Sequence, residues 1–186
     1  MTEEDIPSED EKPTPRMLAW ARNSAAYRLS KRMMTQKQLA DAIRRKAREK
    51  FEGITPVQVE ALAASAIAFG LDVKALDDVA YAEIRTRSSA RAGKSKKAIA
   101  QTLAQKGVDR QIVAEAVSET DDLRAAVIYA RRRTFGPFRR VDLDERQKAK
   151  ELSAFARQGF GFEIGARVFG MDLEEAEAII SGGPWE

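Results

Sequence analysis

The sequence predicts an all-α fold of three tandem three-helix units in an elongated array, and three observations carry that expectation. Apolar residues recur at three- and four-residue spacing along most of the chain, and no stretch alternates as a strand does. The apolar set is Ala, Leu and Ile with 7% aromatics, and much of the remainder is Arg, Lys, Glu and Gln, all strong helix formers. The third observation is a repeat. In residues 93–117, GKSKKAIAQTLAQKGVDRQIVAEAV, two short helices meet at one glycine. Ile99 and Leu103 stripe the first helix, Gly107 suits the left-handed position that ends it, and Asp109 suits the N-cap of the second. Sliding this stretch forward by 52 residues lays Ala104 on Ala156, Gly107 on Gly159 and Ile112 on Ile164. Sliding it back by 60 lays Ile99, Ala100 and Leu103 on Leu39, Ala40 and Ile43, and past a six-residue insertion Gly107 meets Gly53. A further helix precedes each copy, which gives units at 16–75, 76–119 and 120–170.

The elements follow in order. The first 15 residues hold three prolines and six acids without periodicity and are expected to be disordered. A first helix over 16–29 turns Leu18, Ala21, Ala25 and Leu29 inward, with Trp20 in the core. A second over 35–50 starts at Thr35 and buries Leu39, Ala42 and Ile43. Thr55-Pro56 opens a third, with Thr as N-cap and Pro at the first helical position, and Gly70 closes it. Asp77 and Asp78 open a fourth helix, in which Tyr81 and Ile84 point inward. The fifth and sixth are the opening stretch. The seventh begins near Thr120 and ends in Arg131, Arg132 and Arg133, where cations suit the negative end of the helix dipole. Phe135 to Arg140 form a loop. An eighth helix over 143–158 buries Leu152 and Phe155, a ninth carries Phe160, Ile164 and Val168, and a short last helix opens at Asp172 in the segment 171–186.

Composition excludes much. With no cysteine and no histidine among 186 residues, disulfides, thiolate chemistry, imidazole bases and the common zinc sets are absent. No nucleophile stands beside an oriented base, so no enzymatic activity, cofactor or metal is expected. No apolar run approaches the roughly 18 residues of a membrane span, and the acidic N-terminus does not read as a signal peptide, so a cytoplasmic protein without membrane contact is expected. The net charge of +3 divides unevenly, because residues 1–12 carry six acids and one base, leaving +8 from Pro13 onward. Such a body attracts a polyanion, either nucleic acid or an acidic protein surface.

Four motifs bear on chemistry. Gly93-Lys94-Ser95 resembles the end of a phosphate-binding loop, but Ser88 stands where that motif needs its first glycine and a helix where it needs a strand, so Ser95 reads as a cap. TQKQLADAI (35–43) resembles the first helix of a helix-turn-helix, but RRKAREK continues the helix where the turn belongs. The pairs Asp77-Asp78 and Asp121-Asp122 sit at helix starts and read as caps rather than metal ligands. Two acid-free stretches remain, residues 84–108 and 123–141. They concentrate Arg85, Arg87, Arg91, Lys94, Lys96, Lys97, Arg131, Arg132, Arg133, Arg139 and Arg140, the second around a loop with Phe135 and Phe138. Solvated faces intersperse signs, so these cations are the candidate partner-binding residues.

Four segments in this order, LDDVAYAE (76–83), RAGKSKKAIAQTLAQKGV (91–108), RRRTFGPF (131–138) and FARQGFGFEI (155–164), resemble the RecX family of regulatory proteins. The resemblance implies a monomeric, non-enzymatic modulator of the RecA recombinase that lies in the groove of the RecA nucleoprotein filament. It implies inhibition of ATPase, strand exchange and coprotease activities in recombinational DNA repair and the SOS response. The alternative is a basic helical protein that binds DNA independently of RecA.

Overall fold

The computed structural model describes residues 12–182. The acidic N-terminal stretch, and with it the expectation of a disordered tail, lies outside the described residues. Among them the chain forms α1 (Pro15–Lys31), α2 (Gln36–Lys50), α3 (Pro56–Asp72), α4 (Asp78–Arg91), α5 (Lys96–Gln105), α6 (Arg110–Val117), α7 (Asp122–Arg133), α8 (Glu145–Arg157), α9 (Phe162–Gly170) and α10 (Leu173–Ser181), with a single 3-10 turn at Gly136–Phe138 and no strand.

The starts are set by side-chain caps. Thr35 and Thr55 each accept from the amide three residues on, while Gln38 and Gln58 reach back to the cap amide, two complete capping boxes. Asp109, Asp121, Asp144 and Asp172 cap α6, α7, α8 and α10 through single hydrogen bonds. Gly53, Gly107 and Gly159 have φ of +70°, +80° and +83°, the left-handed turn that the repeat demands of all three.

Two compact units emerge. The first comprises the chain through Tyr81 together with Lys106–Val108. Its core is Leu39 and Ile43 from α2 against Val59 and Leu62 from α3, with Ala21 and Ala25 of α1 and Ala63 and Ala66 of α3 as the small residues that let helices approach. Trp20 is half-buried rather than central, edge-on to Phe51 at 5.2 Å. Gly70, expected to close α3, lies inside it, because the helix continues to Asp72. Its reason is packing: a Cβ there would stand 3.1 Å from Leu29 Cδ1 and 3.2 Å from Leu76 Cβ.

The second unit holds Ala82–Gln105 and the chain from Asp109 onward. Its core is aromatic: Phe155 of α8 meets Tyr129 of α7 at 5.6 Å, Phe160 at 6.1 Å and Phe135 at 6.4 Å. Val127, Val168 and Met171 fill around them. The last helix, α10, buries Ala176 in this core and is tied to α7 by Arg124 Nη2, which donates to the Ile180 carbonyl at 2.8 Å. Ile84, expected inward, is 44% exposed. Tyr81 takes the inward position on α4, at 4% exposure, with Ala82 beside it.

One contact recurs in both units. In the first, the buried cap hydroxyl of Thr35 donates to the carbonyl of Lys106 at 2.6 Å, and the Gln36 amide donates to Asp78 Oδ1 at 3.0 Å. In the second, the buried hydroxyl of Ser95 donates to the carbonyl of Gln158 at 2.6 Å, and the Lys96 amide donates to Asp122 Oδ1 at 2.6 Å. Lys106 and Gln158 each precede a turn glycine. Each hydroxyl also accepts from its own helix, from the amides of Gln38 and Ala98 at 3.1 Å. The glycines are required twice, by φ and by space. A Cβ on Gly107 would collide with the Lys37 side chain, and one on Gly159 would stand 2.8 Å from Ser95 Oγ. Asp78 carries a cost: burial raises its carboxyl above the usual aspartate range, with the Asp77 charge adding to the rise and the Gln36 amide opposing it.

Removing the Ser95 hydroxyl deletes a cap and strands a carbonyl. Ser95→Ala is therefore expected to lower unfolding free energy by about 2–3 kcal/mol. Thr102→Ala, which removes an exposed hydroxyl bonded only to the Ala98 carbonyl, is expected to cost about 0.5 kcal/mol or less. Urea denaturation compares the two, and equal losses would remove the contact from its structural role.

Candidate functional site

The cations singled out in the sequence lie on α4, the α4–α5 turn, the first turn of α5, the end of α7 and the loop beyond it. The turn and the end of α7 are brought together. Gly93, at φ +74°, lets the turn approach the α7 backbone so closely that a Cβ would stand 2.8 Å from the Tyr129 nitrogen. Arg132 Nη1 then donates to the Ala92 carbonyl at 2.6 Å, fastening the end of α7 to the turn. Gly93-Lys94-Ser95 is thus a helix-packing element: its glycine admits another helix rather than a phosphate, and its serine hydroxyl is consumed by Ala98 and Gln158. α2 runs unbroken through residue 44, where a helix-turn-helix would need its turn.

Lys94, Lys97, Arg131, Arg132 and Arg133 are exposed around this juncture. Lys96 is half-buried, its Nζ donating to the Ser118 carbonyl at 3.0 Å. Arg133 lies over the Phe135 ring at 5.6 Å, and Thr134 closes α7 in a left-handed conformation at φ +54°. Arg85, Arg87 and Arg91 project from α4 and are exposed, as is Arg140.

Arg139 is different. Its Nε and Nη2 grip both oxygens of Glu151 at 2.8 Å, and the guanidinium lies 4.9 Å from the Phe169 ring centre. Glu151 is fully buried on α8 and also accepts from the Gly136 amide at 2.9 Å and from Gln147 Nε2 at 2.9 Å. Burial opposes its charge, but the hydrogen bonds from Arg139, Gly136 and Gln147 outweigh that opposition and hold the carboxyl below the usual glutamate range. The stretch 123–141 has no acid of its own, and its counter-charge arrives from α8. Sequence reading missed Glu151. Its only signal was that it shares a helix face with Gln147, four residues earlier, and Phe155, four later.

Fold and surface define a helical-repeat protein with exposed cations around the α4–α5 turn and the end of α7. Residues 77–117 match the family model described as RecX, second three-helix domain, a span that covers α4 to α6. The chain is 63% identical over 172 residues to the regulatory protein RecX of Agrobacterium fabrum, covering 92% of this chain and 94% of that one. It is 34% identical over 157 residues to the regulatory protein RecX of Myxococcus xanthus, covering 78% and 82%. The crystal structure of RecX from Lactobacillus salivarius shares the fold at a TM-score of 0.64, with 20% identity over 88% of this chain and 99% of that one. This chain belongs to the RecX family of regulatory proteins.

The buried pair has a pH signature. The depressed folded pKa of Glu151 contributes stability above the ordinary glutamate value, and that stability is lost as pH falls through the depressed one. Arg139→Ala leaves the carboxylate buried without its cation, at an expected cost of about 3–5 kcal/mol near pH 7. The deficit relative to the parent should narrow between pH 7 and a measurement at about pH 4, because a buried carboxyl stripped of its cation takes up its proton at a higher pH than the paired one. Denaturation curves of both proteins at the two pH values check this, and a deficit that does not change with pH would contradict an ionised pair.

Proposed function

We propose that the chain modulates the RecA recombinase by lying against the RecA nucleoprotein filament, with its cationic face toward acidic groove surfaces or DNA phosphates. Membership of the RecX family supports this reading, and so does the exposed cluster Lys94, Lys97, Arg131, Arg132 and Arg133 around the juncture that the Arg132–Ala92 contact fastens. Arg85, Arg87, Arg91, Lys96 and Arg140 add positive charge around it. Arg139 acts indirectly, as the Glu151 partner that fixes the loop carrying Arg140.

The proposed action requires no bond to be made or broken. Segments 16–75, 76–119 and 120–170 serve as successive repeats of one monomeric chain in the cytoplasm. Packed helices that touch neighbouring filament subunits oppose the rearrangements of ATP turnover and strand exchange, and they screen a cleavable repressor from the groove. DNA repair and the SOS response are the settings for such a brake.

The test is RecA ATPase driven by single-stranded DNA, with the protein titrated in. Reversing Lys94, Lys97, Arg131 and Arg133 to Glu should raise the half-inhibitory concentration at least about tenfold, the loss expected when several phosphate or carboxylate contacts become repulsive. Unchanged inhibition by the folded variant would overturn the assignment of this face.

A further inference from the structure

A furrow runs along the seam between α1 and α2, inside the first compact unit. Trp20, Ser24, Arg28 and Lys31 line its α1 side at the spacing of one helix face. Two hollows of about 360 Å³ each meet at Arg28, one extending to Trp20 and Lys50 and the other to Arg32 and Arg45. The furrow carries two acids, and both are taken. Asp41 is held by Lys37 Nζ at 2.7 Å and Arg44 Nη1 at 3.1 Å, and Glu49 by Lys46. Arg28, Lys31, Arg32, Arg45 and Lys50 are left without an ion pair among the described residues. Arg28 Nε is also buried without a hydrogen bond among those residues, a desolvated donor that lacks an acceptor.

An anion of the right length is part of the chain. Residues 3–11, which lie outside the described residues, hold Glu3, Glu4, Asp5, Glu9, Asp10, Glu11 and no base. The segment leaves from one end of the furrow. Gln58 Nε2, in the first turn of α3, donates to the Lys12 carbonyl at 3.2 Å, and Trp20 meets Phe51 where α2 ends. The lengths agree as well. The 17 residues of α1 rise about 26 Å at ~1.5 Å each, and nine extended residues cover about 30 Å at ~3.3 Å each. Counted back from Lys12, the acids at 9–11 come level with Lys46 and Lys50, and those at 3–5 with Lys31, Arg32 and Arg45. Ile6 and Pro7 come level with Tyr27, whose ring is 66% exposed.

We infer that residues 3–11 lie in the α1–α2 furrow as an intramolecular strap, their carboxylates on the unpaired cations and Ile6 against Tyr27. A segment with no apolar periodicity has no fold of its own, and an open cationic furrow accepts it in extended form. The tether supplies it at an effective concentration on the order of millimolar, so ion pairs too weak to hold a separate peptide suffice. The strap neutralises the furrow, and an external anion enters only by displacing it. This contact is separate from the action on RecA proposed above and is observed without RecA. Failure here leaves that proposal standing, and an inert cationic face in the ATPase assay leaves the strap standing.

The experiment is paramagnetic relaxation enhancement on the full chain. The chain has no cysteine, so Ser8→Cys places one nitroxide in the segment without changing its charge. At 0.1 M salt the label should broaden the amides of Ser24, Arg28, Ala42 and Arg45 and spare those of Ala64 and Ala68, which are exposed on α3. Raising the salt to 1 M shortens the screening length from about 10 Å to about 3 Å and should reduce the broadening at least about threefold. Arg32→Glu/Arg45→Glu, a surface variant whose fold circular dichroism verifies, should reduce it as much at 0.1 M salt. A merely solubilising tail leaves the furrow amides no more broadened than those of α3, which overturns the inference. Broadening that survives the double variant overturns it too, as does equal broadening in a mixture of spin-labelled chain and unlabelled isotope-enriched chain, which makes the contact intermolecular.

Discussion

The fold rests on a hydroxyl that serves two helices at once. Thr35 and Ser95 are fully buried, each accepting from an amide of the helix it caps and donating to the carbonyl before a turn glycine far along the chain. A buried hydroxyl left unbonded costs more than a made bond returns, so the geometry that satisfies both roles excludes its neighbours. It requires the following turn to come close, which requires a glycine with positive φ and no side chain. It also requires an acid at the start of the helix two further along the chain to receive the first amide of the capped one, met by Asp78 of α4 and Asp122 of α7. Gly53 marks the contrast: it has the same φ, but nothing lies within 4 Å of its notional Cβ.

Legibility follows the range of the interaction. Caps, turn glycines and helical stripes are local, so Thr35, Thr55, Asp109, Gly107 and Gly159 declare their roles within four residues of sequence, and the shifts of 52 and 60 residues relate whole copies. The partners of Thr35 and Ser95 are 71 and 63 residues away and have no local signature, so the sequence shows the caps without the second bond each makes. Gly70 reads as a helix end because glycine is a poor helix former, yet contact with Leu29 and Leu76 outweighs the roughly 1 kcal/mol of propensity. Ile84 fits a stripe, but α4 is rotated so that Tyr81 and Ala82 face inward, a choice made by tertiary packing. Glu151 was invisible for the same reason: a buried carboxylate and a solvated one are the same letter.

The candidate site shows how a cationic surface can also be a structural one. Arg132, Lys96 and Arg139 use their donors on the Ala92 carbonyl, the Ser118 carbonyl and Glu151, so the acid-free stretches are not uniformly free charge. Counting cations in the sequence overstates what is available to a partner and understates how firmly the rest are placed. A lysine on a loose loop pays conformational entropy each time it meets a phosphate. Lys94 lies in a turn pressed against α7, Arg131 lies in a helix, and Arg132 joins the two, so much of the backbone ordering is already met in the fold. The placement of these cations depends on intramolecular contacts, and Gly93 is the clearest of them: it carries no charge, yet its missing Cβ lets the α4–α5 turn, with Lys94, close on α7, whose end carries Arg131, Arg132 and Arg133.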